Sequence, residues 1–431
     1  MKRELNEIEF LIWTMGQPCN VVLSCRIYGD ISPEQLRSAL LEAQQRHPLL
    51  KVNITCDDSG IPWFTSDGVL AIPLVVIPRD GDQHASRIAE MELPKPFPIN
   101  DAGLSSLPPL IRVTLLRSSD LADQPSDIII CIHHVIGDAL SLFILIRDLL
   151  QIISNPEQPL ETLDITAAND NVLPASVQKK VPVTERRFKL LFNFLKFYHK
   201  LKVRSKKRIR VMADCSFKVD SWQLPKELTG DILTRCKQRN IGLQAAICSA
   251  FSPLTPNITI PVGLRNRLAL PIGEEFGLFA SGLHIEMKYD PKRDFWDNAR
   301  RFQKRLYIAL EKGKMFSMYT IINKFIPLQS IQHFWEILLD ISSKKREFVL
   351  SNLGSLDNLG INFVTGNYRV ASLVVSSSAT LVDAVVIIFF TLNGKLHFQS
   401  MYNERTTTAE EVTKMVDFGM NHLREVVNLV D

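Results

Sequence analysis

The chain has 431 residues, 46% of them hydrophobic, and a formal net charge of +4, enough length and apolar content for large buried cores and two or three domains. Its seven cysteines (Cys19, Cys25, Cys56, Cys131, Cys215, Cys236 and Cys248) are odd in number and contain no CxxC pair, which speaks against a disulfide framework or a zinc site and for a reducing, cytoplasmic setting. No apolar run reaches the roughly 18 residues of a membrane span, and the start Met1-Lys2-Arg3-Glu4-Leu5 lacks the apolar core of a secretion signal.

In chain order, Val21 to Ile27 reads as a strand. Ser32-Pro33-Glu34-Gln35 then reads as a capping box with proline at the first helical position, and Leu36, Leu40, Ala43 and His47 follow at helical spacing. Ile128 to Ile132 is a continuous apolar run, the pattern of a strand buried on both faces. Ala139 to Leu150 is apolar over a helical length, broken only by Ser141, Arg147 and Asp148. Between these two elements stands His133-His134-Val135-Ile136-Gly137-Asp138, so both histidines fall at a strand-to-helix turn.

A neutral imidazole at such a turn can take a proton from a hydroxyl or amine near neutral pH, provided that the turn holds it within hydrogen-bond reach. Asp138 at the mouth of the helix can cap it, orient a histidine, or pair with a distant cation. All three roles are open to it from the sequence.

The segment 179–210 holds thirteen Lys and Arg against one acidic residue, Glu185; its net charge is +12, and the remaining chain carries −8. Within it Phe188, Leu191, Phe192, Leu195 and Tyr198 lie on a different helical side from Lys189, Asn193, Lys196 and Lys200. A linker helix packed on the body, a peripheral membrane contact through 188–210, and a dock for an acidic partner all fit this pattern. No nucleic-acid fold signature accompanies the charge, so nucleic acid is not expected as a partner.

Near the other end, Val385 to Leu392 and Lys395 to Gln399 read as a hairpin turned at Asn393-Gly394. Thr408-Ala409-Glu410-Glu411 caps a closing helix carrying Val412, Met415, Val416, Leu423, Val426 and Val427. Alternating strands and helices at both ends make this an α/β chain.

The string from His133 to Ala139 resembles the HHxxxDG signature of the condensation-domain and chloramphenicol-acetyltransferase-like acyltransferases, which include polyketide-associated acyltransferases, alcohol acetyltransferases and wax-ester synthases. Further segments resemble the same superfamily in the same order: Gly29-Asp30-Ile31-Ser32 through Arg46-His47-Pro48-Leu49-Leu50, Asn240-Ile241-Gly242-Leu243-Gln244-Ala245-Ala246, Val262-Gly263-Leu264-Arg265-Asn266-Arg267-Leu268 with Phe276-Gly277, and Ser351-Asn352-Leu353-Gly354. Ala139 departs from the pattern, standing where the family has glycine. A positive φ there would be strained by the methyl group, whereas a negative one would tolerate it.

The resemblance implies two chloramphenicol-acetyltransferase-like halves with mixed sheets and flanking helices: residues 1–178 with the histidines, 179–210 as basic linker and 211–431 as the second half, with an active-site tunnel between the halves. It implies transfer of an acyl group from acyl-CoA or an acyl carrier protein to a hydroxyl, with an amine acceptor or a non-catalytic carrier-protein or lipid-binding relative as alternatives. His134 would be the base, with no covalent acyl-enzyme, and His133 its support. Asp138 would pair with an arginine of the second half, Arg265 or alternatively Arg267. Ser351, Asn352 and Ser377, the last within Ser376 to Ser378, are the oxyanion or substrate candidates. With no appended carrier or adenylation domain in the chain, the donor would be met in trans by a monomer. No metal or redox cofactor is implied, since His and Cys show no ligand spacing.

Overall fold

The computed structural model describes residues 1–99, 106–118, 124–164, 172–178, 215–270, 272–319, 328–331, 334–335, 347–359, 364–378 and 384–428. The linker 179–210, with its amphipathic helix and basic string, lies outside the described residues.

Two six-stranded mixed sheets organise the chain. The first runs in the order Val364–Thr365, Tyr368–Ser377, Asn20–Tyr28, Ser126–His133, Ile111–Arg117 and Leu74–Pro78, antiparallel except for the parallel last pair. The second runs Ala280–Glu286, Asn257–Gly263, Glu347–Ser355, Ala384–Leu392, Lys395–Asn403 and Phe217–Gln223, with Glu347–Ser355 parallel to both of its neighbours. Val364–Thr365 and Tyr368–Ser377 therefore cross from the second half of the chain into the first sheet. The expected division gave 211–431 wholly to the second half; backbone pairing with Asn20–Tyr28 places these two strands in the first.

The Ile-rich run forms Ser126–His133, buried at every position between two neighbouring strands. It needs no alternation because both faces of the sheet are covered. Helix Pro33–Arg46 starts at the expected capping box on Ser32 and Gln35. The hairpin turns at Asn393 and Gly394, both at positive φ (53° and 70°), the backbone that a two-residue type I′ turn requires. Thr408 and Glu411 exchange backbone and side-chain bonds at the start of Ala409–Asn428.

Strand Ala384–Leu392 shows how the halves join. Val385, Ile387 and Phe389 belong to a core between the second sheet and its helices, while Val386, Ile388 and Phe390 pack into the core of the first half. Phe143 of helix Ala139–Ser154 meets Phe390 edge-on at 6.0 Å. Burial of each such side chain contributes about 1.5 to 3 kcal/mol, so the halves share an apolar contact. Among the described residues no helix is long and apolar enough to cross a membrane.

Candidate active site

The motif strand ends at His133, and His134 opens a single 3-10 turn, His134–Ile136. His133 is buried; its Nδ1 accepts the Val135 N–H at 3.2 Å, and its ring meets Phe97 edge-on at 6.1 Å. The Arg112 guanidinium lies 3.8 Å from the Phe97 ring centre. Burial, with the neighbouring His134 and Arg112, pushes the His133 imidazole down to about 3. This histidine is neutral and turned into the structure, as a support would be.

His134 differs in kind. It is only partly buried, its backbone N–H donates to Cys19 O at 2.7 Å, and its Nδ1 lies 2.8 Å from Gly137 O. A carbonyl can only accept, so Nδ1 carries the hydrogen and Nε2 is left as the basic nitrogen. Burial moves this imidazole below its ordinary value, while the Gly137 carbonyl and Asp138 pull the other way.

The turn leaves little room at Gly137. A Cβ there would lie 2.7 Å from the Phe276 ring and 2.9 Å from Ile132. Ala139, the residue that departs from the family pattern, is the first residue of helix Ala139–Ser154. It is not among the positive-φ residues. The methyl group therefore carries no backbone strain.

Asp138 caps this helix: Oδ1 accepts the Ser141 N–H at 2.9 Å and the Ser141 hydroxyl is 3.0 Å away. Its other oxygen accepts the Phe279 N–H of the second half at 3.0 Å. Arg265 Nη2 stands 3.9 Å from Asp138 Oδ1, beyond hydrogen-bond reach, and donates instead to Ser141 Oγ at 3.0 Å. The expected pair is thus an indirect one. Arg265 is fixed by the carbonyls of Gly273 (2.7 Å) and Glu275 (3.0 Å) and by the Phe279 ring, 4.5 Å away. Arg267, the alternative, is exposed and donates to Gly263 O.

A second tie lies farther along the same helix. Asp148, fully buried, accepts Arg46 Nε at 2.7 Å and Arg147 Nη2 at 2.6 Å and lies 2.8 Å from His47 Nε2. Arg46 and Arg147 both reach Glu274 of the second half, at 3.0 and 2.8 Å. Burial alone would raise the Asp148 carboxyl; His47 and Arg147 outweigh it and hold it below its ordinary value. The sequence carried a signal for both ties, since Ser141, Arg147 and Asp148 are the polar breaks in an otherwise apolar helix.

The oxyanion candidates scatter. Ser351 is buried on Glu347–Ser355 opposite Ile388, and Asn352 closes a turn by accepting the Gly354 N–H at 2.8 Å. Ser377 pairs with Val21, which pairs with Ile132, so it lies at the motif end of the first sheet two strands from His133. Among the described residues no hydrogen bond joins Ser351 or Asn352 to either histidine. Next to Ser377, Ser378 Oγ accepts the Asn20 N–H at 2.8 Å. Among the described residues no group of three or more His, Cys, Asp and Glu side chains is gathered as metal ligands would be.

Two mixed sheets with flanking helices are shared with known proteins. The first condensation domain of the calcium-dependent antibiotic synthetase superposes with a TM-score of 0.70 at 12% identity, over 99% of this chain and 96% of that one. The chain has the fold of condensation domains and chloramphenicol-acetyltransferase-like enzymes. Another structure with this condensation-type fold is the trichothecene 15-O-acetyltransferase TRI3 of Fusarium sporotrichioides, with a TM-score of 0.68 and 14% identity over 98% and 95% of the two chains. Bacitracin synthase 1 of Bacillus licheniformis is 21% identical over 315 residues, which are 68% of this chain and 6% of that protein. The chain thus spans a small part of that relative's length. No protein-family model matches the chain.

Proposed function

We propose that the protein is an acyltransferase that moves an acyl group from a thioester donor, acyl-CoA or an acyl carrier protein, to a hydroxyl acceptor. The observation that carries this reading is the bond from His134 Nδ1 to Gly137 O, which leaves Nε2 as a base on a partly exposed, neutral ring. Nε2 takes the proton from the acceptor hydroxyl as its oxygen attacks the thioester carbonyl carbon. The tetrahedral oxyanion collapses, the carbon–sulfur bond breaks, and the leaving thiolate takes the proton back from the imidazolium. No side chain is acylated in this sequence.

In this reading His133 braces the turn, and Asp138 and Arg265 hold it against the second half through Ser141. Donor and acceptor approach through a tunnel between the halves, and Ser351, Asn352 and Ser377 remain the candidates for contacting the oxyanion or the substrate. The resemblance to TRI3, an O-acetyltransferase by name, supports an oxygen acceptor; the likeness to condensation domains supports an amine by the same proton transfer.

The test is intact-mass detection of product from a panel of acyl thioesters with alcohols and amines, comparing the native chain with His134→Ala. Ester formation that disappears in the variant is expected. Turnover that is undiminished in a folded His134→Ala chain would sink the assignment of His134, and binding of a carrier protein without any turnover would favour a non-catalytic relative.

A further inference from the structure

Asn20 is the direct cross-strand neighbour of His133, opposite it on Asn20–Tyr28 and Ser126–His133, so the two side chains leave the same face of the first sheet. Both are buried, at 0% and 1% exposure. Asn20 spends its backbone bonds on Ser378, and the His133 N–H goes to Leu110 O at 3.0 Å, while the next residue, His134, donates across to Cys19 O. This is the closer kind of antiparallel pair, with Cβ atoms about 4.5 to 5.5 Å apart.

The Asn20 amide has one orientation. Nδ2 donates to Lys95 O at 2.8 Å and Glu92 O at 2.9 Å, with Leu93 O at 3.2 Å, and carbonyls only accept. Oδ1 therefore points away from them, and it is buried without a hydrogen-bond partner. His133 offers the complement. Its Nδ1 accepts the Val135 N–H, so the hydrogen of this neutral ring sits on Nε2, and among the described residues Nε2 makes no hydrogen bond.

Two more buried polar atoms without partners lie on the same face. Ser376 is opposite Val22, which stands between Asn20 and Ser24 on this side of the strand, and the Oγ atoms of both serines are unpaired. Ser376 is the diagonal neighbour of each, about 7 to 8 Å away and closer between side chains. Buried polar groups are nearly always paired, with ordered water where no protein group reaches, and one water bridges polar atoms about 5.5 Å apart. These groups are neutral and include both donors and acceptors, which suits water rather than an ion.

The opposite side of His133 is braced by protein alone. The carbonyls that hold Nδ2 belong to the segment leading to Phe97, whose ring meets His133 edge-on, and Gln17 clamps the Phe97 backbone with both ends of its amide, at 2.8 and 2.6 Å. A His133 ring held on both sides keeps Nδ1 on the Val135 N–H, inside the turn His134–Ile136. A rotated ring would release it.

We infer that Asn20 is a positioning residue for the histidine turn: its Oδ1 takes the His133 Nε2–H through a buried water, and the hydroxyls of Ser376 and Ser24 continue that water site along the sheet. Only the effect on rate rests on the acyl-transfer reading. The link itself exists with or without turnover.

Long-range proton–nitrogen NMR correlations of the histidine rings in the full chain test the link, with His133→Asn and His134→Ala to assign the two signals. In the native chain His133 is expected to carry its hydrogen on Nε2 alone, and that hydrogen to show a nuclear Overhauser contact to a long-lived water. Asn20→Ala, shown by melting to be folded, is expected to lose that water contact, to mix the His133 tautomers and to shift the His134 signals. Its kcat is expected to fall about tenfold or more with KM changed by less than about twofold, as misplacement of a base requires. Ser376→Ala leaves every bond of Asn20 in place and serves should Asn20→Ala not fold; a weaker water contact and a severalfold lower kcat are expected. A hydrogen on His133 Nδ1, no water contact in the native chain, native tautomers and kcat in a folded Asn20→Ala chain, or a Ser376→Ala chain unchanged in both respects would each overturn the proposal.

Discussion

Asp138 and Arg265 stand 3.9 Å apart, with the Ser141 hydroxyl bonded to both. The hydroxyl also lies 2.8 Å from Gly277 O and accepts the Gly277 N–H at 3.2 Å. One side chain on the motif helix thus completes the contacts of a carboxylate, a guanidinium and a backbone turn of the other half. Its single hydrogen goes to either Gly277 O or Asp138, while its lone pairs serve the donors.

Ser141→Ala is accordingly expected to destabilise the chain by about 1 to 3 kcal/mol, since it leaves buried partners unsatisfied while creating almost no cavity. Denaturant unfolding of the two proteins measures it. A difference near zero would mean that Arg265 closes directly on Asp138 when the hydroxyl is removed.

The rate of acyl transfer should depend on pH through His134. Burial sets its pKa below the ordinary imidazole value of 6.5, so the ring is neutral and competent above that value and loses competence as the pH falls through the lowered pKa. Single-turnover rates across pH report this directly. A rate that declines on acidification already above about pH 7 would require a base other than this imidazole.

His133 makes a separate prediction, for stability. Its imidazole titrates at about 3 when folded, far below the ordinary 6.5, so between these limits the unfolded chain binds a proton that the folded chain excludes. Its contribution is whole above about pH 6.5 and is lost on acidification at about 1.4 kcal/mol per pH unit. Unfolding free energies of the native chain and His133→Asn, taken from pH 7 to pH 4, should diverge with that sign. Parallel curves would show that His133 is protonated without penalty.

Ala139→Gly restores the residue of the family pattern. Because Ala139 begins a helix without positive φ, the glycine is expected to cost up to about 1 kcal/mol and to bring no gain in rate. Melting and steady-state kinetics check the two halves of this statement; a faster variant would mean that the methyl group meets the substrate.

What the sequence made legible was local or ordered along the chain. The capping boxes, the Asn393-Gly394 hairpin, the buried run before His133 and the helix after Asp138 all follow from residue patterns within a few positions. The position of Arg265 facing the motif helix came through resemblance. The roles of Ser141, Asp148 and Glu274 were not legible, because a polar residue in an apolar helix announces a partner without naming it, and those partners lie more than a hundred residues away. The crossing of Tyr368–Ser377 was equally hidden: its apolar pattern fits either sheet, and only backbone pairing decides between them.

That crossing limits how the protein can be recombined. A chain cut at the basic segment and joined to a foreign second half would leave Asn20–Tyr28, whose side chains are buried at seven of nine positions, as a bare sheet edge, a template for aggregation. A workable exchange carries Val364–Thr365 and Tyr368–Ser377 along with the histidine half. The unit of inheritance for the histidine turn is therefore a discontinuous set of strands rather than a stretch of sequence.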